Sequence, residues 1–288
     1  MDNAPSIPAS AGAKLRKLRS ILKRVGPHLV AYSGGVDSTF LLAEAADVLG
    51  EGAVGVLADS PSLPRAALRR AIDIAKAFGA NIEVIVTTEL EDPRYSSNPF
   101  NRCYFCKLEL FTRMQGIAIA RGFSTLAYGE NADDAFQVRP GAEAAREFRV
   151  LAPLRMAGLT KAEIRFLSRE RDLPTADIPA QPCLSSRIPH GTTVTRDALS
   201  MIERAEEFVR SCGFIVFRVR YLAAPNGSPT AKLQIDPAEN EKLVPLEETI
   251  REALRTIGFQ NLLIDPKGYI APQPASLTNL HRFVSDAG

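Results

Sequence analysis

The chain has 288 residues, of which 45% are hydrophobic and 24% are charged, and its formal net charge of +2 creates no strong field for nucleic acid or a membrane surface. It has no run approaching the roughly 20 apolar residues that span a bilayer, no apolar N-terminal signal segment, and too few cysteines for a disulfide scaffold. We therefore expect a cytoplasmic protein without a membrane partner, whose cysteines are candidates for metal or redox chemistry.

Strands that alternate with helices predict an α/β fold with a doubly wound parallel sheet in the first part of the chain. After a loose tail over residues 1–13, we predict helices over 14–25, 65–78 and 105–121 and strands over 29–32, 53–58, 82–87 and 125–128. A capping box of Thr160 and Glu163 opens a later helix. The first domain is placed at 14–190.

The last hundred residues change character and predict a small α+β domain at 191–288. We predict helices over 195–210 and 239–257 and strands over 214–221, 231–236 and 261–265. The first two of these strands are expected to pair in an antiparallel manner across a turn at Asn226-Gly227.

A turn rich in serine and glycine follows the first strand and opens a helix. Its glycines allow a tight turn and close approach of the backbone to a ligand, and the helix start presents N–H groups to an anion. The lysine of a Walker loop is absent. The order Ser-Gly-Gly-Val-Asp-Ser is similar to the pyrophosphate loop of ATP pyrophosphatases, which split ATP to AMP and pyrophosphate. The predicted nucleotide-binding residues are Ser33, Gly34, Gly35, Asp37, Ser38, Asp59, Gly129 and Asn131.

Carboxylates near the carboxyl ends of the predicted strands are candidates for Mg²⁺ or ribose contacts, since ligands of doubly wound sheets bind at this edge. They are Asp37, Glu130, Asp133 and Asp134. Mg²⁺ usually takes one or two carboxylates plus phosphate oxygens, so the four are not all needed. A solvated acidic loop is the alternative for the last two.

Three cysteines form the second candidate site. Cys103 and Cys106 make a C-x-x-C, which alone is ambiguous between a redox pair, half of a metal site and chance, and Cys183 lies in a distant proline-flanked loop. Three thiolates can hold a 4Fe–4S cluster and leave one iron open. A zinc site would need a fourth ligand, for which His190 is the nearest candidate. Cys212 is interpreted as structural.

Arg218 and Arg220 lie two residues apart on a predicted strand and therefore on one face, with Ile215, Phe217 and Val219 toward the core. Two guanidinium groups on one face suit a phosphate. A solvated basic face is the alternative.

Taken together, these motifs resemble the LarE family of ATP-dependent sacrificial sulfur transferases, and the resemblance runs from about residue 15 to 270. It rests on Tyr32-Ser33-Gly34-Gly35-Val36-Asp37-Ser38, Asn101-Arg102-Cys103-Tyr104-Phe105-Cys106-Lys107, Gly129-Glu130-Asn131-Ala132-Asp133-Asp134, Arg139-Pro140-Gly141, Ala152-Pro153-Leu154 and Pro182-Cys183-Leu184-Ser185-Ser186-Arg187. The first motif is common to the ATP pyrophosphatase superfamily, whereas the last, combined with the others, is much more specific.

The resemblance implies synthesis of the nickel-pincer nucleotide of lactate racemase. Carboxylates of pyridinium-3,5-biscarboxylic acid mononucleotide would be adenylylated by Mg²⁺ and ATP, and a sulfur nucleophile would then displace AMP. Asp37 and Cys183 become the predicted catalytic residues. All three cysteines are present, which resembles the members able to bind a 4Fe–4S cluster, rather than those in which the residue matching Cys183 alone gives up its sulfur.

The resemblance also assigns the substrate phosphate to basic residues of the C-terminal domain. Arg218 and Arg220 match that role best, and the acidic neighbours considered are Glu203, Glu206, Glu207 and Asp236. A homo-oligomer, a hexamer in this family, is expected.

Three other functions are considered. A tRNA thiolase of the same superfamily would share the adenylylation, but the net charge of +2 does not indicate a surface for nucleic acid. An ammonia-dependent ligase similar to NAD synthetase would need no cysteine. A non-catalytic nucleotide-binding or iron–sulfur scaffold would bind ATP without releasing pyrophosphate.

Overall fold

A computed structural model of the chain describes residues 9–136, 140–179, 181–223 and 227–269. Residues 1–8 of the predicted tail, Arg139 and Asn226 lie outside these ranges. The chain divides into two compact units, one with residues 1–186 and 190–199 and the other with 187–189 and 200–288. No helix in the described ranges has the length and apolar content to cross a membrane.

The first unit is built on a parallel sheet with the strand order β3-β2-β1-β4. Its strands are β1 (His28–Tyr32), β2 (Ala53–Asp59), β3 (Asn81–Val86) and β4 (Thr125–Tyr128). Its helices are α1 (Ala9–Val25), α2 (Val36–Leu49), α3 (Arg65–Ala77), α4 (Pro93–Ser96), α5 (Arg102–Arg121), α6 (Pro140–Glu147), α7 (Pro153–Ala157) and α8 (Lys161–Glu170).

The central strand β1 is buried along its whole length because helices cover both faces of the sheet. Val30 and Tyr32 belong to the core that includes α1, α2 and α8. Leu29 and Ala31 belong to the core that includes α5 and α6. This alternation follows the two-residue period of a strand. The predicted doubly wound α/β fold is therefore confirmed.

The second unit contains a separate small sheet. The helix α9 (Arg196–Ser211) begins in the first unit and continues in the second. It is followed by β5 (Phe217–Ala223), β6 (Pro229–Ile235), α10 (Asn240–Leu243), α11 (Glu247–Ile257) and β7 (Asn261–Ile264). The β5 and β6 strands are antiparallel, as predicted, while β7 joins β6 in parallel. Val219, Leu233 and Ile250 lie in the core of this unit.

Several predicted boundaries differ from the structure. Helix α1 begins at Ala9, so the predicted tail is too long, and α5 begins at Arg102 rather than 105. The helix predicted over 239–257 is divided, because Pro245 has no N–H to continue it and lies in a 3₁₀ turn between α10 and α11. The sequence alternation predicts that Ile215 faces the core, but its side chain is 81% exposed and it precedes β5.

The capping box at α8 is present as predicted, and we expect Thr160→Ala to lower the free energy of unfolding by about 1 kcal/mol. The Thr160 side chain accepts a hydrogen bond from the Glu163 amide, and the Glu163 carboxylate accepts one from the Thr160 amide at 2.9 Å. Urea denaturation of Thr160→Ala and of Thr160→Ser measures the effect. Equal losses in the two variants would contradict the assignment, because serine retains the hydroxyl.

Candidate active site

The serine–glycine turn is held by its own side chains and by close packing. The Ser33 amide donates to Ser38 Oγ at 3.2 Å, and that hydroxyl donates to the Gly35 carbonyl at 3.1 Å. Gly34 has a φ of 71°, and a Cβ there would lie 2.6 Å from the Ala71 Cβ. Gly35 is the N-cap of α2 and has no side chain to accept from its first-turn N–H groups. This helix start is therefore suited to an anion.

The end of β4 meets this turn, as the sequence predicted. A Cβ on Gly129 would lie 2.8 Å from the Ser38 amide nitrogen, so the backbone after β4 passes against the first turn of α2. The side-chain amide of Asn131 donates to Asp37 Oδ2 at 3.4 Å. Asp59 also ends a neighbouring strand, but its carboxylate accepts a hydrogen bond from Arg65. The turn, Gly129 and Asn131 thus form one cluster.

Asp37 is the central carboxylate of this cluster. Its Oδ2 accepts a hydrogen bond from Lys161 Nζ at 2.6 Å, whereas its Oδ1 is buried and has no hydrogen-bond partner in the described part of the chain. Burial raises the pKa of Asp37; Lys161 opposes this rise, and the charge of Asp134 adds to it. A buried oxygen without a partner costs free energy, so this position is suited to a bound cation.

Lys161 was not among the residues predicted from the sequence. Its amide donates to Asp133 Oδ2 at 2.8 Å, and the Asp133 amide donates to Asn131 Oδ1 at 2.9 Å. The acidic loop after β4 is therefore hydrogen-bonded to the start of α8, rather than being only a solvated loop. A lysine directly after an N-cap, in a chain whose carboxylates gather at the sheet edge, is the signal that could have identified it.

The three cysteines predicted to act together influence one another in the first unit. Cys103 is exposed and Cys106 half-buried in the first turns of α5, and Cys183 is half-buried. Although Cys103 as a whole residue is exposed, the surrounding protein desolvates its thiol and so raises its pKa, and Cys183 adds to the rise. Burial also raises the pKa of Cys106 to about 12, with further contributions from Glu89, Cys183 and Cys103. The thiols are therefore close enough to affect one another's ionisation.

The zinc alternative gains no support from the structure. Among the residues it describes, no three or more histidine, cysteine, aspartate or glutamate side chains are grouped to hold a metal ion, and this holds for the three cysteines as well as for a zinc site with His190. His190, the suggested fourth ligand, has its Nδ1 atom 3.3 Å from the Asn98 carbonyl oxygen.

A buried polar network positions the loop that carries Cys183. The Tyr95 and Ser185 hydroxyls are 2.8 Å apart, and the Leu184 amide donates to the Ser62 carbonyl at 2.8 Å. Arg102, which begins α5, donates to the Ser185 carbonyl at 3.1 Å. The network thus fixes the residues that directly follow Cys183 against α4 and against α5, the helix that bears the other two thiols. None of these contacts was predicted.

The two predicted arginines lie in a cationic cluster of the second unit. The Arg218 guanidinium lies over the Tyr269 ring, 4.5 Å from its centroid, and Arg220 donates to the side chain of Gln234. Burial lowers the pKa of Arg218, and the like charges of Arg187 and Arg220 lower it further. Guanidinium groups that repel one another are stabilised by an anion that binds both.

The proposed acidic neighbours have different surroundings. Glu206 is buried and forms a bidentate ion pair with Arg187, at 2.9 and 3.1 Å. Asp236 caps a 3₁₀ turn by accepting from the Ala238 amide at 2.9 Å. Glu207 is exposed. Of these three carboxylates, Glu206 belongs to the arginine cluster, through Arg187.

Comparison with known proteins finds similarity over nearly the whole chain. The chain is 38% identical over 260 residues to an uncharacterised protein of Synechocystis, covering 89% of this chain and 95% of that protein. It is 29% identical over 262 residues to the pyridinium-3,5-bisthiocarboxylic acid mononucleotide synthase of Lactiplantibacillus plantarum, covering 91% of this chain and 93% of that enzyme.

An uncharacterised protein of Methanocaldococcus jannaschii is 27% identical over 262 residues, which cover 89% of this chain and 97% of the relative. No family profile matches the chain. The similarity to the Synechocystis protein and to the synthase spans both units, and it agrees with the motifs that led to the same family. The chain therefore belongs to the LarE family of sulfur transferases.

Proposed function

We propose that the chain uses ATP to convert the carboxylates of pyridinium-3,5-biscarboxylic acid mononucleotide to thiocarboxylates, a reaction of nickel-pincer nucleotide biosynthesis. The similarity to the synthase, over 91% of the chain, carries the proposal. The cluster of the serine–glycine turn, Asp37, Asn131 and Lys161 supports it, because it combines an anion-binding helix start with carboxylates and a cation.

The first step activates a carboxylate, which is by itself a poor electrophile. A substrate carboxylate oxygen attacks the α-phosphorus of ATP, forming an acyl-adenylate and releasing pyrophosphate. The turn at the start of α2 binds the polyphosphate through its N–H groups, and Lys161 donates to the departing pyrophosphate. Asp37, with its unpartnered Oδ1, would hold Mg²⁺, which neutralises phosphate charge when bound.

The second step replaces AMP by sulfur, and Cys183 is central to both possible sources. In one, the Cys183 thiolate displaces AMP to give a thioester, and elimination then leaves the thiocarboxylate on the substrate and dehydroalanine in the chain. In the other, Cys103, Cys106 and Cys183 would hold a 4Fe–4S cluster, which would supply the sulfide that displaces AMP. The C-x-x-C of Cys103 and Cys106 at the start of α5, and the hydrogen bond from Arg102 to the carbonyl of Ser185 beside Cys183, support a shared role.

We assign the substrate phosphate to Arg218 and Arg220. A phosphate dianion accepts bidentate hydrogen bonds from guanidinium groups and relieves the repulsion between them. The stacking of Arg218 on Tyr269 and the hydrogen bond from Arg220 to Gln234 orient both groups in advance.

Exchange of radiolabelled pyrophosphate into ATP tests the proposal, because it requires reversible adenylylation. We expect exchange that depends on the pyridinium biscarboxylate nucleotide. We expect no exchange with transfer RNA, the substrate of a thiolase, and none with deamidated NAD and ammonia, the substrates of a ligase similar to NAD synthetase. Exchange with either of those substrates, and none with the pyridinium nucleotide, would overturn the proposal in favour of the thiolase or the ligase.

A further inference from the structure

Phe100 is the most exposed of the large hydrophobic side chains that the structure describes, at 85%. One side of its ring packs on the His190 ring, with centroids 4.6 Å apart and an angle of 36° between the planes. An aromatic ring left open to solvent presents an apolar face with a negative quadrupole, which attracts cations and other rings.

The aromatic pair is held in place by a fully buried asparagine. Asn98 adopts a φ of 58°, and its side chain donates to the Thr192 carbonyl at 3.0 Å. Its own carbonyl accepts from the Gly191 amide at 3.0 Å and lies 3.3 Å from His190 Nδ1. The segment bearing Phe100 and the segment bearing His190 are thereby joined through one residue, so the backbone that carries the exposed ring is held in place before any ligand arrives.

Phe100 is close in sequence to Cys103 and Cys106. Phe100 precedes Cys103 by three residues, so the two Cα atoms are at most about 11 Å apart. Arg102, between them, donates to the carbonyl of Ser185, the second residue after Cys183. A flat ligand stacked on Phe100 would therefore lie near the first turn of α5, which carries Cys103.

We propose that Phe100, supported by His190, is the platform on which the pyridinium ring of the substrate stacks during sulfur transfer. The inference rests on the proposed function, whose substrate contains a planar cationic ring. A cation over an aromatic face improves binding roughly two- to thirty-fold. Stacking also fixes the plane of the ring and so limits the directions from which sulfur reaches its carboxyl groups.

The chain contains no tryptophan, so Phe100→Trp introduces a single fluorophore at the platform. Pyridinium rings quench indole fluorescence on contact. We expect the pyridinium biscarboxylate nucleotide to quench this variant saturably, with the dissociation constant that calorimetry gives for the wild-type protein. The matched control is Ile119→Trp, since Ile119 is 77% exposed on α5 and lies about 24 Å along that helix from Cys103. It should show only weak, linear collisional quenching.

Phe100→Leu provides a second readout, because it retains apolar bulk and removes the ring. Calorimetry should show an affinity about tenfold weaker than that of the wild type, while Phe100→Trp retains it. If the nucleotide binds the wild type saturably but does not quench Phe100→Trp saturably, the stacking role of Phe100 is overturned. Unchanged affinity of Phe100→Leu would overturn it equally. Either result leaves the proposed function intact. Absence of binding to the wild-type protein overturns both.

Discussion

Cys183→Ser is expected to lower thiocarboxylate formation at least about 1,000-fold while pyrophosphate exchange stays close to the wild-type rate. Serine cannot supply sulfur, and its hydroxyl is not the thiolate ligand that an iron–sulfur cluster takes. Adenylylation depends instead on the turn at α2 and on Asp37. The measurement compares exchange with formation of the sulfur-containing product in the same preparation.

Cys212→Ser is the matched control for this loss. Cys212 packs against the core of the second unit, and we expect both activities of the variant to match those of the wild type. Full thiocarboxylate formation by Cys183→Ser would contradict the role of this thiol, and full activity in an ammonia-dependent assay would favour the ligase.

Asp37→Asn is expected to slow pyrophosphate exchange by about 100- to 1,000-fold and, at the same time, to stabilise the nucleotide-free protein at pH 7. The loss follows from removing the carboxylate that faces Lys161 and the proposed Mg²⁺. The gain follows because burial raises the pKa of Asp37, so its ionised form is disfavoured in the folded state. The presence of a buried carboxylate that lowers the stability of the folded protein is explained by its role in function.

The stability gain should depend on pH in a defined direction. Because the folded pKa of Asp37 lies above the unfolded value, the penalty of ionisation is absent below the unfolded pKa and complete above the folded pKa. In urea denaturation, Asp37→Asn should therefore have a larger free energy of unfolding than the wild type at pH 7. The difference should disappear in acid. Asp177→Asn, on the exposed surface, is the control and should change neither exchange nor stability appreciably. An Asp37→Asn variant that is less stable at pH 7 would contradict this account.

The fold was largely predictable because the sheet and the nucleotide turn are specified locally. A strand, two glycines and a helix start lie within a few consecutive residues, and the burial of β1 follows from its apolar sequence. The predicted boundaries of helices and strands were wrong where a single residue departs from the pattern of apolar residues around it. Pro245 interrupts an otherwise helical period, and Ile215 continues an apolar alternation outside the strand.

The candidate site was predictable only in part because its contacts are distant in sequence. Lys161 and Asp37 are 124 residues apart, so a lysine directly after an N-cap indicates a candidate site residue but not the carboxylate with which it pairs. The cysteines were found because thiols are rare and chemically distinct in this chain. Tyr95 and Asn98, which hold the surrounding loops, resemble ordinary loop residues until the tertiary structure brings their partners to them.

The most direct test of the account is mass spectrometry of the nucleotide and of the protein after one incubation with ATP and Mg²⁺. We expect each modified carboxyl group to gain the mass difference between sulfur and oxygen, with AMP and pyrophosphate released. Loss of the Cys183 sulfur as dehydroalanine would identify that residue as the source, whereas an intact Cys183 with anaerobically retained iron would identify a cluster. A nucleotide that returns unchanged or amidated, while AMP accumulates, would contradict the central claim that this chain transfers sulfur.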